Sequence, residues 1–285
     1  MKKEIIDLYK VFGLTRKDGA QGYLTCYTID DYGFCKGRMR PAMIVVGGGG
    51  YSYVSDREKE PIAISYLNQG FNVFVLDYSV APLCYPTQLI EGLMAVAYIR
   101  ENAQSLNVIN DKICAVGFSA GGHFCGMLAT LFNEKVVEET LGDHAKNCRL
   151  DGVILAYPVL SAYGKIHEGS IKNISGGDEQ ITKKMDIPAM VTENSVPAFI
   201  WTTVNDGIVP SESSLLMAMA YREKGVPFEL HMFENGCHGL SLAKEETSPP
   251  TSNIHVNIPV QAWFDLSVTW LNSHGFTIKE KNEIL

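Results

Sequence analysis

Nowhere does the sequence hold the roughly 18 uninterrupted apolar residues that a membrane-spanning helix needs, so no transmembrane segment is expected. Nor is there a C-x-x-C pair among its seven cysteines, Cys26, Cys35, Cys84, Cys114, Cys125, Cys148 and Cys237. Their odd number and apolar surroundings point away from a disulfide framework or a zinc centre and towards reduced thiols. Lysine and arginine form no cluster, and with 24 of them against 32 Asp and Glu the formal net charge is −8, which disfavours a nucleic-acid surface. The opening MKKEIIDLYKVFGL carries Glu4, Asp7 and Lys10 where a secretory signal needs an apolar stretch, so a cytoplasmic location is the expectation. Internal repeats and shifts of composition are absent too, and the 285 residues read as one domain.

What is present has the proportions of an ordinary folded protein, 46% hydrophobic and 20% charged. Apolar runs of strand length recur as YLTCYTI (23–29), AMIVV (42–46), FNVFVLD (71–77), KICAVG (112–117), GVILAY (152–157), AFIWTT (198–203) and FELHMF (228–233). Most are continuous rather than alternating, as strands covered on both faces are. Helical patterns lie between them. Residues 56–69 follow Ser55-x-x-Glu58, which has capping-box spacing, and 88–103 carry Leu89, Leu93, Val96, Ala97 and Ile99 at helical intervals. Further helices are expected over 120–134, over 211–224 between Pro210 and Gly225, and over 260–273 with Trp263, Leu266 and Trp270. The alternation predicts an α/β fold: a doubly wound, mostly parallel sheet in a single domain without a large lid. Residues 1–40 should add N-terminal strands, and 158–196 and 243–258 should be irregular loops bordering a site.

The stretch GFSAGGH (117–123) directly follows one of these strands. Gly117-Phe118-Ser119-Ala120-Gly121 matches G-x-S-x-G, in which a strand turns sharply into a helix and lifts a serine out of the sheet. Alone, the pattern also fits an ordinary loop. Its weight comes from three companions. Gly47, Gly48, Gly49 and Gly50 follow an earlier strand, where backbone N–H groups free of side chains can approach a substrate oxygen. Asp206 stands in NDGIVP between a later strand and a helix, better placed than Asp178 or Asp186, which no strand precedes. His238 stands in Gly-Cys-His-Gly just past the last strand, whereas His231 lies within that strand and His123 within the helix after the serine. Ser119, Asp206 and His238 thus occur in the chain order that a serine hydrolase with this motif requires.

The segments GGGGYSYVSDREKEPIA, VFVLDYSVAPLCYP, GFSAGGH, NDGIVPSESSLL and GVPFELHMFENGCHGLSLA resemble those of the small bacterial α/β-hydrolase esterases related to hormone-sensitive lipase and the carbohydrate acetylesterases. The likeness covers about residues 40–275. It implies a serine esterase acting on short acyl esters, with Ser119 as nucleophile, His238 as base and Asp206 as its partner. Two departures stand out: Gly47 occupies the place of the histidine in the family's H-G-G-G, and in DYSVAP a serine follows the tyrosine where many relatives have arginine. Both alter how the site is braced.

On this reading the oxyanion hole would be the N–H groups of Gly49, Gly50 and Ala120, with Gly48 and Tyr51 touching substrate. Tyr51, Tyr53, Tyr85 and Tyr163 are candidates for a stacking surface for a sugar. The expected partner is a small-molecule ester, acetyl esters of a carbohydrate foremost; no metal or organic cofactor is called for, and a homo-oligomer is compatible with the sequence. A prolyl-oligopeptidase-like peptidase would use the same triad but usually adds a large access-restricting domain, and a non-catalytic binding protein of this fold would normally lack part of the triad. Turnover of p-nitrophenyl acetate against an aminoacyl-proline amide separates them. Cys237, next to His238, is either a packed thiol or one that reaches the cleft.

Overall fold

The computed structural model describes residues 1–30 and 32–280. In chain order the elements are β1 (Lys2–Asp7), α1 (Leu8–Val11), β2 (Tyr23–Thr28), β3 (Arg38–Val46), α2 (Glu60–Asn68), β4 (Asn72–Asp77), α3 (Thr87–Glu101), β5 (Val108–Phe118) and α4 (Ala120–Thr130). The second half adds α5 (Lys135–Leu141), β6 (Gly152–Ala156), α6 (Glu168–Ser175), α7 (Glu179–Lys184), β7 (Ala198–Thr203), α8 (Glu212–Lys224), β8 (Phe228–Phe233), α9 (Ile258–Ser273) and β9 (Lys279–Glu280).

The strands form one sheet in the order β1-β2-β4-β3-β5-β6-β7-β8, with β9 pairing the start of β3. Strands β1 and β2 are antiparallel additions at one edge, and from β4 to β8 every pair is parallel. The apolar runs are continuous because successive side chains enter different cores. Ala42, Ile44 and Val46 of β3 pack on one face while Met43 and Val45 pack on the other. In β4, Phe74 and Leu76 join the first core, and Val73 and Val75 the second. Helices α3 and α4 cover the first face, and α2 and α9 cover the second, with Trp263 of α9 stacked on Trp201 of β7 at 5.1 Å between ring centroids. A strand wetted on neither side has no use for polar alternation.

The helices differ from expectation at their ends. Residues 56–69 divide into a 3₁₀ turn at Asp56–Glu58 and α2, and α4 stops at Thr130. Ser55 makes no side-chain capping bond, because Glu58 is drawn into the interior. The segment 158–196 is not irregular: it holds α6, α7 and a 3₁₀ turn at Ile187–Met190. Residues 243–258 do remain loop, apart from a 3₁₀ turn at Glu245–Thr247 and the first residue of α9. Among the described residues no helix is long and apolar enough to cross a membrane.

The order in which strands are added reverses between β3 and β5, with β4 placed on one side of β3 and β5 to β8 on the other, the kind of switch point beyond whose strand ends α/β proteins form clefts. Register carries this further. Val46 pairs with Gly117, Phe118 with Ala156, Ala156 with Trp201, and Thr203 with Phe233. Loops that are far apart in sequence therefore leave the sheet side by side.

Candidate active site

Ser119 sits at the tip of the β5–α4 turn with φ 55° and ψ −117°, a conformation that non-glycine residues rarely adopt. Neighbouring backbone holds it there. Its N–H donates to Ala156 O at 2.9 Å, and its carbonyl accepts from the N–H groups of His123 and Val159 at 3.1 Å. The turn closes only because its flanking residues are glycine. A Cβ on Gly117 would stand 2.0 Å from Gly121 O, and one on Gly121 would stand 2.3 Å from Val46 O.

The hydroxyl of Ser119 lies 2.8 Å from His238 Nε2, and His238 Nδ1 lies 2.6 Å from Asp206 Oδ2. The Asp206 side chain is fully buried. Its other oxygen accepts from the N–H groups of Ile208 and Val209, each at 2.9 Å, so the NDGIVP turn fixes the carboxylate before the histidine meets it. The three residues singled out from the sequence are thus brought together in one hydrogen-bonded chain. The alternatives lie elsewhere: Asp178 caps α7 through the N–H groups of Gln180 and Ile181, and Asp186 accepts from Ala162 N. His123 is fully buried between Tyr51 Oη and Met185 O, and burial pushes its pKa down to about 4, so it is a neutral packing residue.

The glycine loop runs beside the serine. Gly49 and Gly50 line a cleft of about 380 Å³ together with Ser119 and His238. Among the described residues nothing accepts a hydrogen bond from the N–H of Gly49, Gly50 or Ala120, the last being the first residue of its helix. Gly49 has φ 120°, and a Cβ there would collide with Tyr53 O at 2.2 Å. Two of the expected substrate contacts are corrected. Gly48 gives its N–H to Glu58 Oε2 at 2.7 Å and backs onto Phe118 O instead of the cleft. Tyr51 is fully buried, with its hydroxyl on His123 Nδ1 and its ring edge-on to Tyr78. Of the proposed sugar-stacking tyrosines, Tyr85 is buried, Tyr163 is exposed outside the cleft, and Tyr53, 63% exposed, lines it.

Two residues that no functional motif of the sequence singled out, Arg57 and Glu58, tie these loops to each other. Glu58, 3% exposed, accepts from Gly48 N through Oε2 and from the Tyr157 hydroxyl through Oε1 at 2.6 Å. Tyr157 in turn accepts from Ser241 N at 2.9 Å and packs edge-on against the His238 ring, 5.1 Å between centroids. Next to it, Arg57 donates to Gly239 O and Thr247 O. The pair Arg57-Glu58 therefore clamps the glycine loop to the histidine loop. The braces that Gly47 and Ser79 were expected to disturb are also present in another form. Tyr78 Oη donates to Gly47 O at 2.8 Å, and Ser79 is held through both its N–H and its hydroxyl by the buried Glu91. Cys237 points its thiol at Ile254 O, 3.3 Å away, and burial raises its pKa. It lies against the 243–258 loop, off the cleft wall. The side chain of Cys35 is outside the described part, and the other six cysteines are free thiols. Among the described residues no group of three or more His, Cys, Asp or Glu is placed to hold a metal ion.

Comparison with known proteins places this arrangement. The model of the BD-FAE family matches residues 35–221, a stretch that holds the glycine loop, Ser119 and Asp206. The chain belongs to the BD-FAE family. Among curated relatives, this BD-FAE member is 38% identical over 216 residues to endo-1,4-beta-xylanase B of Butyrivibrio fibrisolvens, covering 73% of this chain and 33% of that protein. It is 27% identical over 242 residues to the acetylxylan esterase of Xylanibacter ruminicola, covering 82% and 46%. The chain thus spans a third to somewhat under half of the length of these relatives. Among solved structures, the acetyl ester-xyloside bifunctional hydrolase of Caldicellulosiruptor lactoaceticus superimposes with a TM-score of 0.79 at 34% identity, covering 90% of this chain and 89% of that one. The BD-FAE chain has the α/β-hydrolase fold of these esterases, and the resemblance drawn from its motifs holds.

The clamp carries a prediction. Glu58→Gln keeps an acceptor for Gly48 N but turns an amide N–H towards the Tyr157 hydroxyl, leaving a buried proton without an acceptor. The variant is expected to lose about 1–3 kcal/mol of stability and at least tenfold in kcat, read by thermal unfolding and p-nitrophenyl acetate kinetics. A variant with wild-type kcat would mean that the clamp does not position the site.

Proposed function

We propose that this chain is a serine esterase that removes short acyl groups, acetyl above all, from a carbohydrate alcohol. The reading is carried by the hydrogen-bonded chain Asp206–His238–Ser119 beside the N–H groups of Gly49, Gly50 and Ala120, which have no acceptor among the described residues. The names of the relatives, an acetylxylan esterase and an acetyl ester-xyloside hydrolase, support the choice of acyl group and alcohol.

In the proposed reaction Ser119 Oγ attacks the ester carbonyl while His238 Nε2 takes its proton, with Asp206 holding the tautomer and stabilising the imidazolium. The negative charge on the carbonyl oxygen is met by the backbone donors, each worth on the order of a hundredfold in rate. His238 then returns the proton to the departing alkoxide oxygen, freeing the alcohol and leaving acetyl on Ser119. Water, deprotonated by the same imidazole, cleaves that ester and regenerates the hydroxyl. Tyr53, exposed on the cleft wall, offers a ring for a sugar face.

One cleft beside Ser119 receives both acyl group and alcohol. Rates across p-nitrophenyl esters from C2 to C12 are expected to be highest at acetate and to fall with length. A maximum at C8 or beyond contradicts the acyl assignment, and failure to release acetate from acetylated xylo-oligosaccharides contradicts the alcohol assignment.

A further inference from the structure

The cleft contains a second histidine that the reaction above leaves without a role. His167 caps α6: its Nδ1 accepts from Ser170 N at 3.3 Å and lies 2.8 Å from Ser170 Oγ. A ring nitrogen that accepts a hydrogen bond carries no proton, so in the neutral ring the proton is on Nε2. Burial, reinforced by the nearby His238, lowers its pKa and favours that neutral form. Cε1, the atom between the two nitrogens, lies 3.6 Å from where a Cβ of Gly50 would stand, which sets the ring beside the glycine loop on the cleft wall. Among the described residues Nε2 has no acceptor, and it is not sealed from solvent. Six residues on in α6, Asn173 donates Nδ2 to Gly50 O and to Ser52 Oγ, each at 2.9 Å. Because a carbonyl oxygen only accepts, this fixes the amide orientation and leaves Asn173 Oδ1 as an acceptor. The wall formed by α6 therefore offers one fixed donor and one fixed acceptor on the cleft that Ser119 lines, with no partner for either among the described residues.

We propose that His167 and Asn173 form the alcohol-side subsite, in which His167 Nε2–H donates to a hydroxyl oxygen next to the acylated one and Asn173 Oδ1 accepts from a hydroxyl of the same alcohol. This rests on the esterase reading and deepens it: the preferred alcohol is polyhydroxylated, with a free hydroxyl neighbouring the ester. A flat phenol ester has no hydroxyl beside the ester to offer either group.

The test is His167→Asn. Asparagine is a favoured N-cap, so it retains the acceptor for Ser170 N and the start of α6, but it is too short to reproduce the Nε2 donor. Wild type and variant are compared on acetylated xylo-oligosaccharide and on p-nitrophenyl acetate, with thermal unfolding to verify the fold. The ratio of kcat/KM for the sugar ester to that for the phenol ester is expected to fall roughly tenfold, mostly through KM, as loss of one hydrogen bond to substrate implies. An unaltered ratio overturns the subsite, whether both rates fall together or neither does. A wild-type enzyme that cleaves p-nitrophenyl acetate but not the sugar ester overturns the carbohydrate reading itself, a result visible before any variant is made.

Discussion

Ser119→Ala should abolish ester hydrolysis, lowering kcat on p-nitrophenyl acetate by about four orders of magnitude or more, while the protein stays folded. The two halves of this expectation have different causes. Among the described residues the hydroxyl has one partner, His238 Nε2, so its removal strands no buried donor. What holds residue 119 in its strained conformation is backbone: the bonds to Ala156, His123 and Val159, and the close approach of Gly117 to Gly121. Alanine fits that frame as well as serine does. A melting temperature within about 3 °C of wild type is the corresponding check. Activity surviving at more than a trace would mean that another residue is the nucleophile.

Asp206→Asn is the second large effect, with kcat expected to fall about 10⁴-fold. The carboxylate has two separate duties. Oδ1 organises the turn through Ile208 N and Val209 N, and asparagine retains that oxygen. Oδ2 faces His238 Nδ1, and there asparagine presents an N–H. The imidazole then accepts at Nδ1 and carries its proton on Nε2, pointing a donor at Ser119 where an acceptor is needed. Structure survives and chemistry does not. Asp178→Asn and Asp186→Asn, whose carboxylates serve a helix cap and the Ala162 N–H, should alter stability but keep kcat within about threefold. Should Asp186→Asn prove the damaging change, the assignment of the acid is wrong.

The parts legible in the sequence were those in which a local pattern has one physical cause. Runs such as AMIVV and NVFVLD read as strands because both faces of the sheet are covered, and the order of Ser119, Asp206 and His238 could be read because each follows a strand end. What escaped was decided by tertiary contact. Glu58 has the spacing of a capping-box residue relative to Ser55, yet its partner is Tyr157, 99 positions away, and a buried tyrosine hydroxyl with a loop N–H outbids a solvent-facing cap. Tyr51 adjoins the glycine loop and so looked ready to meet substrate. Its φ of 57° turns the side chain inward to His123 instead. Helix α6 is short and carries few apolar residues, and it is held at its ends by His167 and by Gly176 in the left-handed conformation. Capping by histidine is not among the usual signals for a helix start.

Covalent labelling decides whether Ser119 is the nucleophile of a serine esterase. A fluorophosphonate reacts only with a serine whose proton is being taken and whose developing oxyanion is stabilised. Treated with such a reagent, the wild-type protein should gain a single adduct in intact-mass spectrometry, peptide mapping should locate it on Ser119, and esterase activity should disappear in proportion; His238→Ala should remain unlabelled. An adduct on any other residue, or full activity retained after stoichiometric labelling, would contradict the account.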